Sequence, residues 1–181
     1  MNRVPLVDRA ATTSDRRELL DQIHAAFGMT PNMFRAVANS HPALQSMWGS
    51  FRALGSGCID ARLAEQVAVA IANHNACEYC LAAHTMLGRK AGASAAEMAA
   101  AQAGQSDDPR TRAALEFALT VVAQRGQVDA GAVQALRDAG FSDEALVELL
   151  AHIALNLFTN YVNMALAVPV DFASVNLHRA A

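Results

Sequence analysis

At 181 residues the chain has the length of one domain and can bury its own core. Its 14 Lys and Arg against 17 Asp and Glu give a formal charge of −3, which supplies no electrostatic basis for binding nucleic acid or an anionic membrane. The apolar fraction is 53% and includes 40 alanines, strong helix formers with little burial energy each, so the composition points to closely packed helices. Only 17% of residues are charged, which leaves apolar surface over for a homo-oligomer.

Residues 1–17 hold no apolar core of the length a signal peptide needs and carry Arg and Asp throughout, so a cytoplasmic protein is expected. Helix punctuation recurs at short intervals without strand alternation, which predicts an all-α domain over 1–181. Its amino-terminal helices fill 14–54. Asp15 with Glu18 has the pattern of a capping box opening a helix that runs to about Phe27. Thr30-Pro31 reads as an N-cap and first-turn proline, and Ser40 to Pro42 as a second such start. The block 60–104 follows the Gly55-Ser56-Gly57 break. Asp60 caps a helix with apolar positions at Leu63, Val67, Ala70 and Ile71, ending near Asn73 to Asn75.

A helix from about Ala76 to Lys90 stops at Gly92, and Ser94 with Glu97 forms another capping box. The polar segment 105–109 is too short for a flexible linker. Carboxy-terminal helices fill 109–168: Pro109 to Arg125, Asp129 to Ala139, and Ser142 to about Val168 before Pro169. The apolar stretch from Ala145 to Val170 is interrupted by Glu148, His152, Asn156, Asn160 and Asn163, so no membrane span is expected.

Three cysteines in a reducing compartment do not make a disulfide scaffold, and two of them stand in Cys77-Glu78-Tyr79-Cys80. On a helix, Cys77, Cys80 and His84 lie at about 0°, −60° and −20° and can converge on one face. Free N–H groups and the positive dipole end at a helix start favour thiolate over thiol. A thiolate attacks electrophilic oxygen or sulfur, a second thiol captures the sulfenic acid, and an imidazole moves the proton. The same stretch, from His74 through Cys77 and Cys80 to His84, also offers four tetrahedral zinc ligands in a non-catalytic helical interaction protein. A third reading is two buried small hydrophobes and a satisfied histidine.

Glu65 stands in a stretch whose other polar side chains are Arg62 and Gln66, where an unpaired carboxylate is costly to ionise. In an unbroken helix it would lie about 22 Å from Cys80. The Asn73-His74-Asn75 break lets the chain turn so that the carboxylate reaches the imidazole; a surface glutamate is the plain alternative.

The spacing Glu65-x11-Cys77-x2-Cys80-x3-His84 resembles the motif of the alkyl hydroperoxidase D group of the carboxymuconolactone decarboxylase superfamily. Looser likeness extends over Gly28 to Asn32 with His41-Pro42, from Ala139-Gly140-Phe141-Ser142 through Asn156 to Asn160, and over Val168 to Asp171. The resemblance implies an all-α, multi-helix orthogonal bundle assembled into dimers, trimers or hexamers. It further implies a peroxidase without a cofactor, in which Cys80 attacks a small hydroperoxide, Cys77 resolves, and Glu65 and His84 relay protons. The implied reductant is a dithiol, lipoylated or thioredoxin-like. Tyr79 stands where the group's eponymous enzyme has a histidine between its cysteines. Superfamily members without cysteines decarboxylate lactones, so the peroxidase expectation rests on the CxxC.

Cys58 is expected to be inert. The polar stripe His152, Asn156, Asn160 and Asn163 reads as core or interface satisfaction, with pocket lining as the alternative. Met29, Met33, Phe34, Met47, Trp48 and Phe51 read as core or as walls of a substrate entrance.

Overall fold

The computed structural model describes residues 2–178, so the expected bounds 1–181 extend past the described residues at both ends. Among the described residues there are nine α-helices and no strand: α1 (Ser14–Phe27), α2 (Asn32–Val37), α3 (His41–Leu54), α4 (Ala61–His74), α5 (Glu78–Lys90), α6 (Ala95–Gln102), α7 (Pro109–Ala123), α8 (Ala130–Asp138) and α9 (Asp143–Ala165). α4 lies at the centre, against α5, α6, α7 and α9. Its residues from Gln66 to Ala72 are all buried, which is why this segment reads as apolar almost all round.

Most helix starts obey the local capping chemistry. Asp60 accepts the Leu63 N–H at 3.0 Å, and Asp108 accepts that of Thr111 at 2.7 Å. The Ser94–Glu97 box forms on α6, where Glu97 also pairs with Arg62 of α4. The Asp15–Glu18 box does not form: Thr13 is the N-cap of α1 and makes no side-chain cap bond, while its hydroxyl donates to Asp15. Thr30 is displaced as a cap by Pro31, and its hydroxyl pairs instead with His24 at 3.1 Å. α7 and α9 stop at Ala123 and Ala165, short of the expected Arg125 and Val168, because the chain enters left-handed backbone at Arg125 (φ 55°) and Ala167 (φ 49°).

The amino-terminal helices close the core with an aromatic cluster. Phe34 meets Trp48 edge-on at 6.0 Å and Phe51 at 5.5 Å, and the indole N–H donates to Gln22 at 3.0 Å. Met33, Phe34, Met47 and Trp48 are buried, with Phe51 and Met29 partly so.

α9 corrects the reading of its sequence. It is long and apolar enough to cross a bilayer by length and composition, despite the polar residues that interrupt it. Yet it packs against α2, α3, α4, α5, α7 and α8, and it buries Asn156, Thr159, Asn160 and Asn163 along that contact. Its apolarity serves the bundle core. After α9 an extended tail crosses back over the helices. Asp171 accepts the Asn32 N–H of α2 at 2.7 Å, Phe172 stacks edge-on against Tyr79 at 5.5 Å, and Gln102 donates to the Asn176 carbonyl at 2.8 Å.

Candidate active site

The turn between α4 and α5 builds the site. Ala76 takes a left-handed conformation (φ 57°), and the Cys77 N–H returns to the Ala72 carbonyl at 2.8 Å, a helix-ending loop that glycine usually makes. Asn75 braces the turn by donating to Asn160 of α9 at 2.9 Å. The chain reverses, and α5 begins at Glu78, two residues later than expected, with Cys77 as its N-cap. The Cys77 sulfur accepts the Cys80 N–H at 3.3 Å. The two cysteines have Cα atoms 5.4 Å apart and sulfurs at bonding distance, as a disulfide requires. Both are buried, at 1% and 2% exposure.

The same reversal lays α5 along α4. Gly88 permits the close approach, since a side chain there would run into Met98 and crowd the Glu65 Cβ. One turn before Gly88, His84 reaches Glu65: Nδ1 lies 2.6 Å from Oε2, with side chains 12% and 20% exposed. The Nδ1–H donates to the carboxylate, which fixes the ring and leaves Nε2 for other work. His84 makes no hydrogen bond to either sulfur among the described residues, although it and Cys80 line the same cavity.

That cavity measures about 40 Å³ and its walls are almost wholly apolar, with Phe34, Tyr79, Phe172 and Met33 beside Cys80 and His84. Cys77 does not line it. The Tyr79 hydroxyl accepts the Met33 N–H at 3.2 Å; burial, with the Asp171 carboxylate beside it, pushes this phenol well above its ordinary value and keeps it neutral. Behind His84 lies a second chamber of about 140 Å³, which Glu65, His84, His152 and Asn156 make more polar. His152 stands 3.8 Å from Glu148, and its Nε2 has no hydrogen-bond partner. Burial lowers its pKa, against the pull of Glu148 and Glu65. A depression of about 470 Å³ lined by Asp60, Arg62, Glu97 and Arg110 contains neither sulfur nor the Glu65–His84 pair.

The alternative zinc set does not assemble. His74 is exposed at the end of α4 while Cys77 and Cys80 are buried and His84 is committed to Glu65. No group of three or more His, Cys, Asp or Glu among the described residues is arranged to hold a metal ion. Cys58 is exposed; desolvation and the nearby Glu148 carboxylate push its thiol up, away from reactivity. Glu148 itself accepts the N–H groups of Cys58 and Ile59 at 2.8 and 2.7 Å.

One site residue is not singled out by its place in the sequence. Asn163 of α9 donates its amide to the Cys80 sulfur at 3.2 Å. The recurrence of polar residues one turn apart on α9 is the signal that points toward it. Of the stripe, Asn160 supports the turn, Asn163 meets the sulfur, and His152 and Asn156 line the rear chamber.

Comparison with known proteins locates this architecture. The profile of the carboxymuconolactone decarboxylase family matches residues 42–120, which span α3 to most of α7. A search of curated proteins returns no significant match. Among solved structures, the alkylhydroperoxidase AhpD core of an uncharacterised peroxidase-related protein from Ralstonia eutropha JMP134 is 25% identical. It covers 94% of this chain and 92% of its own, with a TM-score of 0.85. A peroxidase-related protein from Silicibacter sp. TM1040 is 22% identical over 92% of this chain and 88% of its own, with a TM-score of 0.81. The debrominase Bmp8, in a cysteine variant bound to 2,3,4-tribromopyrrole, is 21% identical over 93% of this chain and 91% of its own, with a TM-score of 0.79. The last two likenesses speak to fold alone.

Proposed function

We propose that this chain, whose residues 42–120 match the carboxymuconolactone decarboxylase family and whose fold is similar to an alkylhydroperoxidase AhpD core, is an alkyl hydroperoxidase D-like protein that reduces organic hydroperoxides through a Cys77–Cys80 dithiol/disulfide cycle. The observation that carries the reading is one cavity lined by both Cys80 and His84, with Cys77 at bonding distance behind and Glu65 bonded to the imidazole. In the reduced enzyme the Cys80 thiolate attacks the terminal oxygen of the hydroperoxide. An S–O bond forms, the O–O bond breaks, and the leaving alkoxide takes a proton from His84 to depart as an alcohol. Cys80 is now a sulfenic acid. Cys77 attacks its sulfur and displaces hydroxide, which leaves as water on protonation, and the disulfide results. An external dithiol returns two electrons and two protons and becomes a disulfide in turn. Glu65 orients His84 and passes protons on.

Cys80, which lines the cavity, suits the attacking role, and Cys77, buried at the helix N-terminus with an N–H on its sulfur, suits the resolving one. Buried sulfurs favour a reductant that carries its dithiol on a slender arm, as a lipoylated carrier does, over a broad thioredoxin-like surface. A cycle of this kind belongs in a reducing compartment, the cytoplasm. Assembly with further copies is supported by the outer face of α9, where Val147, Phe158, Tyr161 and Met164 are exposed.

Consumption of cumene hydroperoxide in the presence of dihydrolipoamide tests the reading. Cys80→Ser abolishes turnover, whereas Cys77→Ser still reacts once and leaves a sulfenic acid that dimedone traps. Full activity in Cys80→Ser overturns the assignment. Activity on a lactone that survives loss of both cysteines supports a decarboxylase on the same scaffold. The aromatic lining of the cavity favours a second redox reading, reduction of a halogenated aromatic ring, for which 2,3,4-tribromopyrrole is the probe.

A further inference from the structure

A buried side-chain amide costs free energy unless its donors and acceptor are used, and the asparagines of α9 meet this cost in different ways. Asn156 donates to the His152 carbonyl one turn earlier at 2.9 Å, and its Oδ1 has no partner. Asn160 accepts from Asn75 and holds the α4–α5 turn, and its Nδ2 has no partner. Asn163, 3% exposed, makes a single side-chain hydrogen bond among the described residues, and its partner is the Cys80 sulfur at 3.2 Å. Its carbonyl oxygen, Oδ1, is buried without a partner, and the residue lines the cavity that Cys80 and His84 share.

Each sulfur therefore has its own donor. Among the described residues, Cys77 has the Cys80 backbone N–H and Cys80 has the Asn163 amide. A thiolate accepts and cannot donate, so in the reduced protein the NH2 side of Asn163 faces it, which leaves the buried, unpartnered Oδ1 as the acceptor this side chain still has to offer beside the cavity that the residue lines. Few other polar groups reach this space. The Tyr79 hydroxyl accepts the Met33 N–H and has the Asp171 carboxylate beside it for its own proton, and the Thr159 hydroxyl donates to the Asn156 carbonyl.

We propose that Asn163 is a catalytic residue of the peroxide reaction: its amide N–H holds the Cys80 sulfur as thiolate, and its carbonyl oxygen receives the O–H of the incoming hydroperoxide. The inference rests on the assignment of Cys80 as nucleophile. With the terminal O–H on Oδ1, that oxygen is delivered within reach of the sulfur bonded to the same amide. The hydrogen stays on the transferred oxygen, so attack converts substrate O–H···Oδ1 into sulfenic O–H···Oδ1 without moving that proton. The alkoxide's proton comes separately, from His84. One side chain thus stabilises the reactant anion and holds the product of its oxidation.

The titratable groups around Cys80 are Cys77 at the N-cap of α5, Tyr79 and His84 on α5, Glu65 on α4 behind the imidazole, and Asp171 on the tail. The experiment isolates the amide against that constant background. In protein carrying Cys58→Ser and Cys77→Ser, Cys80 is the sole thiol, and its ionisation is followed by thiolate absorbance and by alkylation rate against pH. Asn163→Leu raises the thiol pKa by about one unit, and Asn163→Asp raises it further by placing a carboxylate on the sulfur. With all cysteines present, Asn163→Leu lowers kcat/KM for cumene hydroperoxide about tenfold or more at neutral pH. Part of that loss persists above the new thiol pKa, because the acceptor for the substrate O–H is gone as well. Asn163→Ser, which keeps a small hydroxyl, serves if the leucine variant does not fold. Thiol titrations that superimpose across the variants overturn the proposal. A parent protein that consumes no hydroperoxide, yet shows the titration shift, overturns the peroxidase reading and supports the amide–thiolate contact.

Discussion

Glu65 and His84 show how a pair of residues 19 apart in sequence becomes one chemical unit. A carboxylate at 2.6 Å fixes the imidazole tautomer and ring plane and keeps Nε2 directed away from the pair. Glu65→Gln keeps the size and one acceptor oxygen but loses the charge that stabilises an imidazolium. It should lower kcat for cumene hydroperoxide by about 10- to 100-fold and shift the pH–rate profile; an unchanged profile removes Glu65 from the relay. The meeting of the candidate residues was legible in part: helical spacing puts Cys77, Cys80 and His84 on one face, whereas Glu65 could reach the imidazole only if the visible break turned the chain back, with a surface glutamate as the alternative. Asn163 was not legible as a sulfur ligand, since its partner is 83 residues away and only packing brings the two together. A polar side chain on an apolar helix signals that a partner exists without saying which.

At the scale of elements, capping chemistry was readable where one side chain serves one N–H, as at Asp60, Ser94 and Asp108. It misled at Asp15, because that carboxylate takes the Thr13 hydroxyl, Glu18 is exposed, and the N-cap falls two residues earlier, at Thr13. The α4–α5 turn was legible as a break that lets the chain fold back, but not as a left-handed loop at Ala76, since alanine at that position gives no sign of itself. That conformation costs a non-glycine residue about 1–2 kcal/mol. Ala76→Gly should therefore stabilise the protein by about 0.5–1 kcal/mol after the entropy that glycine gains in the unfolded chain, a rise in Tm of about 1–3 °C. A fall in Tm would mean that the alanine methyl makes contacts worth more than the strain it carries.

For the molecule as a whole, the buried imidazole in the rear chamber sets a pH response. His152 has a folded pKa below its ordinary 6.5, with desolvation as the main cause and Glu148 and Glu65 opposing it. The charged groups around it are Glu148 on its own helix, Glu65 on α4 and His84 on α5. Below pH 6.5 the unfolded chain takes up a proton that the folded chain still refuses, so stability falls as pH drops and levels off beneath the folded pKa. Urea unfolding midpoints between pH 7.5 and 5 should decline in the parent by more than in His152→Gln, each pH on the order of one unit apart. Parallel declines in the two proteins would place the response elsewhere.

The architecture was legible because nearly every buried stripe follows helical periodicity, whereas the second role of α9 was hidden by its own hydropathy. Two neighbouring turns of that helix carry Asn160, which holds the hairpin that presents the cysteines, and Asn163, which touches one of their sulfurs. Both ends of the reactive loop are thus gauged from a single rigid rod. A displacement of that rod along its axis by even part of its 1.5 Å rise per residue would misalign bracket and sulfur together. Mutations that loosen the distant packing of Leu149 or Ile153 are in this sense mutations of the thiol's alignment.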